Sequence, residues 1–360
     1  MSSTIPIPIV SATTASRAFT PRERWKPSPD DVINVRVHTG YRECNYRCAY
    51  CIAGHGKITE DEYGDPTIDD PTWDESRLKR VIANLLAQPY RMNVRLQVPG
   101  EIFLNKKLVR IAEEMSHAPN IVSVNLLTNL SLKAHQYERI LSRFDHAKTA
   151  IVASFHPTEV RDTQEWLESA RWAHRHFDFA VIHVAYPALL SRLHADHAML
   201  RAEGFTVFVQ PYIGEYAGRD YPRDYAPEER DALRAVMYSR HDAQFLLDLA
   251  KPGLCHAGSR YFYVLEDGRV FPCGRNEHDE LGNLALSNEV ALAKSPMACP
   301  YSTCQCDTDN LNAVVFGEHY RRDGINQHRY RYRFEELARI DPLLSEWYVP
   351  YRDGALPVEA

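Results

Sequence analysis

The pattern that most constrains the fold is a regular alternation of strand-like and helix-like runs between residues 32 and 210. The strand-like runs are short and rich in Val, Ile and Leu, as expected for strands buried on both faces of a parallel sheet. The helix-like runs repeat apolar side chains at intervals of three and four residues. The alternation predicts strands at 32–37, 94–98, 121–127, 149–154, 179–185 and 205–210, separated by helices.

Six strand–helix repeats predict an α/β fold in which the parallel sheet curls into a barrel or a partial barrel. Pattern alone does not exclude a closed barrel of eight strands, but the alternation ends after the sixth. In such barrels the functional side chains collect at the carboxyl ends of the strands. We therefore expect the functional residues of this chain at the carboxyl ends of its strands.

A cysteine loop directly follows the first strand, with Cys44, Cys48 and Cys51 in a CxxxCxxC arrangement. Three thiolates on so short a segment can hold three irons of a cubane cluster and leave the fourth iron without a protein ligand. A zinc site normally has four protein ligands. A disulfide framework needs an even number of cysteines, and this loop has three.

The loop resembles that of the radical S-adenosylmethionine (SAM) enzymes, including the aromatic Tyr50 before the third cysteine. The resemblance implies that the six repeats form a partial, TIM-like (β/α)6 barrel. It also implies a [4Fe–4S] cluster whose open iron binds the amino and carboxylate groups of SAM. It also implies reductive cleavage of SAM to a 5'-deoxyadenosyl radical that abstracts a substrate hydrogen atom. A structural metal knuckle is the alternative interpretation of the loop.

Other strand ends supply further candidates under this resemblance. Pro99-Gly100-Glu101 is similar to the family's Gly-Gly-Glu motif, whose strand end holds the SAM amino group, although Pro99 replaces the first glycine. The fourth strand end often contacts the SAM ribose in the family, which implies that role for Ser154. The remaining candidates are Asn129 and Gln210 for the cofactor, and His156, Glu215 and Arg219 for catalysis or substrate binding.

Three of these candidates have a second interpretation that needs no function. His156 precedes a proline, so it can simply belong to a turn. Glu215 and Arg219 lie on a loop, where charged side chains are usually solvated.

A second group of cysteines begins at Cys255, where the strand–helix alternation has ended. Two short alternating runs flank Glu266-Asp267-Gly268, a predicted β-hairpin turn with glycine where a positive φ is needed. The spacing from Cys255 through Gly268 to Cys273 resembles the opening of SPASM and twitch domains, which carry auxiliary iron–sulfur clusters in radical SAM enzymes. A full SPASM domain needs more cysteines, so the resemblance implies a twitch domain with one auxiliary [4Fe–4S] cluster and the candidate ligands Cys255, Cys273, Cys299, Cys304 and Cys306.

One of the eight cysteines is in excess if the first cluster takes three and the auxiliary cluster takes four. The auxiliary cluster could instead have three cysteine ligands and an open site, or these cysteines could bind zinc. A spare thiol near the radical could donate a hydrogen atom, as epimerases of the family require, or could be inert.

Composition sets the broad class of the protein. The chain has 360 residues, 44% hydrophobic and 25% charged, as expected for a globular protein with one large and one small domain. No apolar stretch approaches the ~20 residues of a membrane span, and no signal peptide is evident, so we expect a cytoplasmic protein. The net charge of −6 does not indicate a general nucleic-acid binder.

The predicted organisation is an N-terminal arm, a barrel, a twitch-like domain and a C-terminal helical tail that packs on the barrel, at 1–30, 31–250, 251–310 and 311–360. A polar loop at 55–72 either shields the cluster or is a surface excursion. In the tail, Arg329, Arg331 and Arg333 either clamp an anionic substrate or form the solvated face of a helix.

These features leave three functions open. The first is radical chemistry on a small polar molecule such as a sugar, cyclitol, aminoglycoside or nucleoside, ending in dehydrogenation or epimerisation. The second is peptide modification, against which the short segment before the first strand argues. The third is a non-enzymatic metal-binding scaffold. The enzyme hypotheses imply an electron donor such as flavodoxin or ferredoxin.

Overall fold

The computed structural model describes residues 24–51, 58–60, 66–68, 72–237, 243–249, 253–276 and 278–304. Cys306 and the three tail arginines lie outside the described residues, as do most of the predicted N-terminal arm and the whole predicted tail. The last part of the arm, 24–30, is docked on the C-terminal region, because Trp25 N donates to Leu292 O over 2.8 Å.

The core of the fold is the predicted run of six parallel strands, which confirms the α/β fold class. Each strand pairs with the next one along the chain, so the sheet order follows the sequence order. The strands are β1 (Val32–His38), β4 (Arg91–Gln97), β5 (Ile121–Thr128), β6 (Thr149–Phe155), β7 (Asp178–Ala185) and β8 (Thr206–Pro211).

Helices connect the strands and lie close to their predicted positions. Asp74 caps the first helix by accepting from Arg77 N, and the apolar face that this helix was predicted to have is buried. The third helix has only eight residues, and the second begins after a 3-10 turn at Ile102–Leu104. The helices are α1 (Glu75–Leu86), α2 (Lys106–His117), α3 (Ala134–Leu141), α4 (Thr163–His176), α5 (Leu190–Ala202) and α6 (Pro227–Arg234).

Two short hairpins lie outside the main sheet. The predicted polar loop contains an antiparallel pair, β2 (Ile58–Glu60) and β3 (Pro66–Ile68). After β8 the chain forms a second pair, β9 (Gly214–Tyr216) and β10 (Arg219–Tyr221). None of the described helices has the length and apolar composition needed to cross a membrane.

The C-terminal hairpin extends the main sheet past β1. Its first strand, β12 (Tyr261–Val264), pairs parallel with β1. It then pairs with β13 (Arg269–Phe271), which pairs with β14 (Gly282–Asn283). A final small pair joins β11 (Leu254–Cys255) to β15 (Met297–Ala298). Gly268 has the predicted positive φ, +90°, and a Cβ there would lie 2.5 Å from Ala285 Cβ.

The two faces of the parallel sheet differ in polarity. On β1, for example, Ile33, Val35 and Val37 belong to the main apolar core that the helices cover. Side chains alternate between the faces of a strand, so Arg36 and His38 lie on the opposite, concave face. The sheet is therefore apolar toward the helices and partly polar toward the inside of the partial barrel.

His183 on β7 should make the protein sensitive to acid. The side chain is 1% exposed, and burial lowers its pKa to about 4 from 6.5. Between those pH values the unfolded chain binds a proton that the folded chain does not, so stability falls as pH falls through this window and is constant above it. We expect His183→Leu to reduce the loss of unfolding free energy between pH 7 and pH 5 by about 2 kcal/mol.

Chemical denaturation of both proteins at a series of pH values measures this difference. His135, an exposed residue on α3, provides the matched control, and His135→Leu should leave the pH dependence unchanged. An equal effect of the two substitutions would contradict the assignment to His183.

Candidate active site

The cysteine loop lies at the carboxyl end of β1, where the sequence places it. Cys44 and Cys48 are buried and Cys51 is exposed. Burial raises the pKa of Cys44 to about 11 and that of Cys48 to about 12. The charges of the other loop thiols raise both values further, so the three sulfurs are electrostatic neighbours.

This donor set fits an iron–sulfur cluster. Thiolates that are buried and repel one another are stabilised by a bound cation, which is what the irons of a cluster supply. Among the described residues, no three His, Cys, Asp or Glu side chains converge as they would around one metal ion. A cubane is held through separate irons, so it does not need such convergence. Cys44, Cys48 and Cys51 would hold it.

Backbone from the second strand end supports the loop. Gly100 N donates to Tyr41 O over 3.2 Å, and Glu101 N donates to Glu43 O over 2.9 Å. A Cβ on Gly100 would lie only 2.0 Å from Glu43 O. The glycine is therefore required by a close approach of two backbone segments, and its place beside the loop agrees with the sequence motif.

The carboxylate of Glu101 is turned into the protein. It is 1% exposed and accepts from Asn129 N at 2.6 Å, Thr128 Oγ1 at 2.8 Å and Phe103 N at 3.1 Å. Burial raises its pKa to about 7 against the effect of these three donors. Glu101 thus ties the end of β4 to the end of β5, and its predicted contact with SAM stays a prediction.

Asn129 contacts the cysteine loop directly. Its Nδ2 donates to Asn45 Oδ1 over 2.8 Å and lies 3.5 Å from Cys44 Sγ. Its carbonyl accepts from Trp166 Nε1, which fixes the residue from the opposite side. Asn129 therefore lies beside the loop and orients its first cysteine, and its predicted role in binding SAM stays a prediction.

His156 lies against the aromatic residues of the loop. A hydrogen bond of 3.0 Å joins His156 Nδ1 to the hydroxyl of Tyr50, and the two rings stack with centroids 5.9 Å apart. Tyr46 meets the same imidazole edge-on. Burial lowers the pKa of His156 to about 4, so the imidazole is neutral. Ser154, two residues earlier on β6, is half-buried on the concave face.

The contacts of Arg219 lie within the segment that follows the sixth strand. Arg219 pairs with Glu229 at 3.0 Å, donates to Asp224 O and lies over the Tyr221 ring, so it holds the β10 hairpin against α6. Glu215 is exposed on β9, and Gln210 is half-buried at the end of β8.

A row of tyrosines connects this region to the loop instead. Tyr50 lies 4.9 Å from Tyr186, measured between ring centroids. Tyr186 in turn lies 5.2 Å from Tyr212 and 5.0 Å from Tyr216. The hairpin thus borders the site through the ring of Tyr216.

Four residues at the site were not among the sequence candidates. Thr128 ends β5 and Tyr186 directly follows β7, so both stand at strand ends, where functional side chains are expected. Glu159 accepts from Arg47 N at 2.9 Å, and Asn45 receives the bond from Asn129. Neither Glu159 nor Asn45 has a distinguishing sequence signal.

A cavity of about 340 Å³ beside the loop is lined in part by Asn45 and Glu159.

The second group of cysteines gathers beyond the hairpin. Cys255 belongs to a small apolar cluster with Ala257, Tyr261 and Tyr263, and Cys273 and Cys299 pack against this cluster. Pairing of β11 with β15 brings Cys255 opposite Met297, and Cys299 N donates to Gly253 O.

Cys304 follows a residue that is tied to the same place. Thr303 O accepts from Arg275, which is two residues after Cys273. The four described cysteines of this group thus come from segments that meet, as an auxiliary cluster requires.

The hairpin also meets the cysteine loop. Glu266 at the hairpin turn pairs with Arg42 at 3.2 Å and lies 3.5 Å from His38 Nδ1. These contacts connect the second cysteine region to the strand end that carries the first.

Neither a protein-family model nor a curated protein matches the chain. Among solved structures, Streptococcus suis SuiB aligns with a TM-score of 0.47 at 11% identity, over 72% of this chain and 64% of SuiB. SuiB bound to S-adenosylmethionine gives the same values. BtrN in complex with AdoMet and 2-DOIA aligns with a TM-score of 0.35 at 14% identity, over 71% of this chain and 80% of BtrN.

The chain therefore spans less than two thirds of the length of the SuiB structures that it matches. The cysteine loop at the end of β1 and the six parallel strands that follow one another in the sheet are features of the chain itself. In both of these features the chain is similar to the radical SAM enzymes.

Proposed function

We propose that this protein is a radical SAM enzyme that abstracts a hydrogen atom from a small polar substrate. The observation that carries the proposal is the support of the CxxxCxxC loop by the next two strand ends. Gly100 and Glu101 hold its backbone, and Asn129 contacts its first cysteine. A loop held in this way keeps three thiols in place at the mouth of the barrel.

A [4Fe–4S] cluster with one iron free of protein ligands supplies, when bound, the electron that cleaves SAM. The residues around it bind and orient. Asn129 donates to the first cysteine, and His156 holds Tyr50, the residue that precedes the third cysteine. Ser154, Gln210 and the strand end at Gly100-Glu101 are the proposed contacts for SAM.

The proposed substrate is a small molecule, and the outcome is dehydrogenation or epimerisation. The polar half of the concave face supports this choice, because it offers hydrogen-bonding groups inside the barrel. Peptide modification is the second candidate function. The exposed Glu215 hairpin and its tyrosines border the opening, where an extended chain would enter.

The second cysteine group is the proposed site of one auxiliary cluster, held by four of Cys255, Cys273, Cys299, Cys304 and Cys306. Its segments join the sheet beside β1, close to the loop. In that position the auxiliary cluster would accept the electron left on the substrate radical. An external donor such as a flavodoxin or ferredoxin would reduce the first cluster.

Anaerobic reconstitution with iron and sulfide, followed by incubation with SAM and dithionite, tests the proposal. We expect broad absorbance at about 400 nm from the clusters and release of 5'-deoxyadenosine by mass spectrometry. Colourless protein that binds zinc would support the scaffold function. A fully loaded protein that never cleaves SAM would overturn the radical assignment. Release of 5'-deoxyadenosine that rises when polyols are added would support a small-molecule substrate. Release that requires a peptide would support peptide modification.

A further inference from the structure

A carboxylate from the turn that follows β6 reaches the cysteine loop. Glu159 Oε2 accepts from Arg47 N over 2.9 Å, and Arg47 directly precedes Cys48, the middle cysteine of the loop. Glu159 therefore contacts the backbone of the loop beside one of the three thiols that would hold the cluster.

The turn itself fixes the position of Glu159. The carbonyl of His156 accepts from both Glu159 N and Val160 N, each over 3.0 Å, so the turn closes on His156. His156 is also the residue that binds the hydroxyl of Tyr50 over 3.0 Å. One turn thus holds the loop at two points, one residue before its second cysteine and one residue before its third.

The negative charge of Glu159 is not paired with a cation. Its carboxylate accepts from Arg47 N and, over 3.3 Å, from Thr158 Oγ1, and both of these donors are neutral. The guanidinium of Arg47 donates instead to the carbonyls of Cys44 and Tyr46. Within the described part of the chain, no ion pair neutralises Glu159.

The charge of Glu159 acts on the loop. Burial is the main cause that raises the pKa of Cys48, and the charges of Cys51 and Glu159 raise this pKa further. Burial also raises the pKa of Tyr50, and Glu159 is among the charges that add to that rise. An anion that opposes negative charge on a thiol also opposes the addition of an electron to a cluster held by that thiol.

Holding the loop does not by itself require a charge. The side-chain oxygen of a glutamine at position 159 could accept from Arg47 N in the same way. A carboxylate makes this hydrogen bond stronger, but it also adds repulsion to a loop whose thiols already repel one another. The unpaired charge therefore points to an electrostatic role at the cluster.

The hydrogen bond to Glu159 works in the same direction as its charge. Hydrogen bonds to the sulfurs of a cluster stabilise its reduced form and raise its potential. Tyr46 N, 3.5 Å from Cys44 Sγ, is placed to make such a bond. Arg47 N donates to Glu159 instead, so this N–H is kept from the sulfurs.

We propose that Glu159 is a positioning residue that keeps the reduction potential of the first cluster low, through an unneutralised charge beside Cys48. This inference rests on the proposed function, because it requires a cluster at the cysteine loop. A lower potential makes the one-electron reduction of SAM more favourable. Glu159 would therefore assist the cleavage of SAM without contacting it.

A redox titration of the anaerobically reconstituted full-length protein, followed by electron paramagnetic resonance, tests the inference. The signal that is missing from Cys48→Ser belongs to the first cluster. Glu159→Gln removes the charge and keeps an acceptor for Arg47 N, so we expect wild-type iron content and a higher midpoint potential. At the wild-type midpoint, the ratio of reduced to oxidised first cluster should rise at least about threefold.

Glu168→Gln is the matched control, because Glu168 is exposed on α4 and its substitution changes the net charge by the same amount. It should leave the midpoint potential unchanged. Glu159→Ala removes the acceptor as well as the charge, so it should raise the potential at least as much and also lower the iron content. Added salt screens charges that are in contact with solvent, so it should narrow the difference between the wild type and Glu159→Gln.

An unchanged midpoint potential in Glu159→Gln would overturn the inference, and so would an equal rise in Glu168→Gln. If Glu159→Gln lost as much iron as Glu159→Ala, the role of Glu159 would be structural, and the inference would fail as well.

Release of 5'-deoxyadenosine in the same preparations distinguishes this inference from the proposed function. A raised potential in Glu159→Gln without release by the wild type would support the inference and reject the radical assignment. Release by the wild type with a potential that does not respond to Glu159→Gln would do the reverse. Protein that holds no cluster at the loop would reject both.

Discussion

Cys48→Ser is expected to abolish the release of 5'-deoxyadenosine, with a loss of at least about 10³-fold, because the cofactor carries the chemistry. Cys48 is the middle thiol of the loop and is buried, so no other side chain of the loop can replace it. Serine keeps the volume but is a poor iron ligand. Iron analysis, the visible spectrum and mass spectrometry of the products measure the effect.

Cys273→Ser is the matched variant in the second cysteine group. It should remove the iron of one cluster and leave SAM cleavage in the absence of substrate intact, while turnover of the substrate is lost. The two variants should therefore lose similar amounts of iron but differ in SAM cleavage. If Cys48→Ser cleaved SAM at the wild-type rate, or if both variants lost SAM cleavage equally, the two cysteine groups would not have separate roles.

The regular part of the fold could be predicted from the sequence because its signals are local. The apolar period of 78–86 and the acidic cap at Asp74 specify α1 without reference to the rest of the chain. Runs of Val, Ile and Leu specify the parallel strands in the same way. Placing functional residues at strand ends then follows from the topology, and it located Asn129 beside the loop correctly.

The directions of side chains at those ends could not be predicted. The sequence did not reveal that the Glu101 carboxylate accepts from two backbone amides and a threonine. It also did not reveal that Arg219 pairs with Glu229, ten residues later. In both cases the deciding partner comes from a turn whose geometry depends on tertiary packing.

The pairing of strands that are far apart in the chain could not be predicted from the sequence either. The hairpin that begins at Tyr261 was predicted as part of a separate domain, yet it continues the sheet beside β1. The strand pattern of the hairpin is local, but its partner is more than 200 residues away in the chain. Whether the predicted domain boundary at 250 marks an independent unit is still a prediction.

Gly100→Ala should disrupt the site more than any other single-methyl change. The added Cβ would lie 2.0 Å from Glu43 O and 2.7 Å from Arg42 C, and both are backbone atoms that no rotamer change can move. The loop and the strand end must separate, which breaks the hydrogen bonds from Gly100 N to Tyr41 O and from Glu101 N to Glu43 O. We expect the free energy of unfolding to fall by about 3 kcal/mol.

Gly100→Ala should weaken cluster binding as well as stability, because the displaced residue Glu43 directly precedes Cys44. Gly204→Ala provides the control: Gly204 has a φ of +80° and no atom within 4 Å of an added Cβ. That substitution should cost about 1–2 kcal/mol through backbone strain alone. Its cluster content, measured as bound iron per chain, should equal that of the wild type, whereas Gly100→Ala should hold less iron at the first site. Equal iron in the two variants would mean that the loop does not depend on the strand end against which it packs.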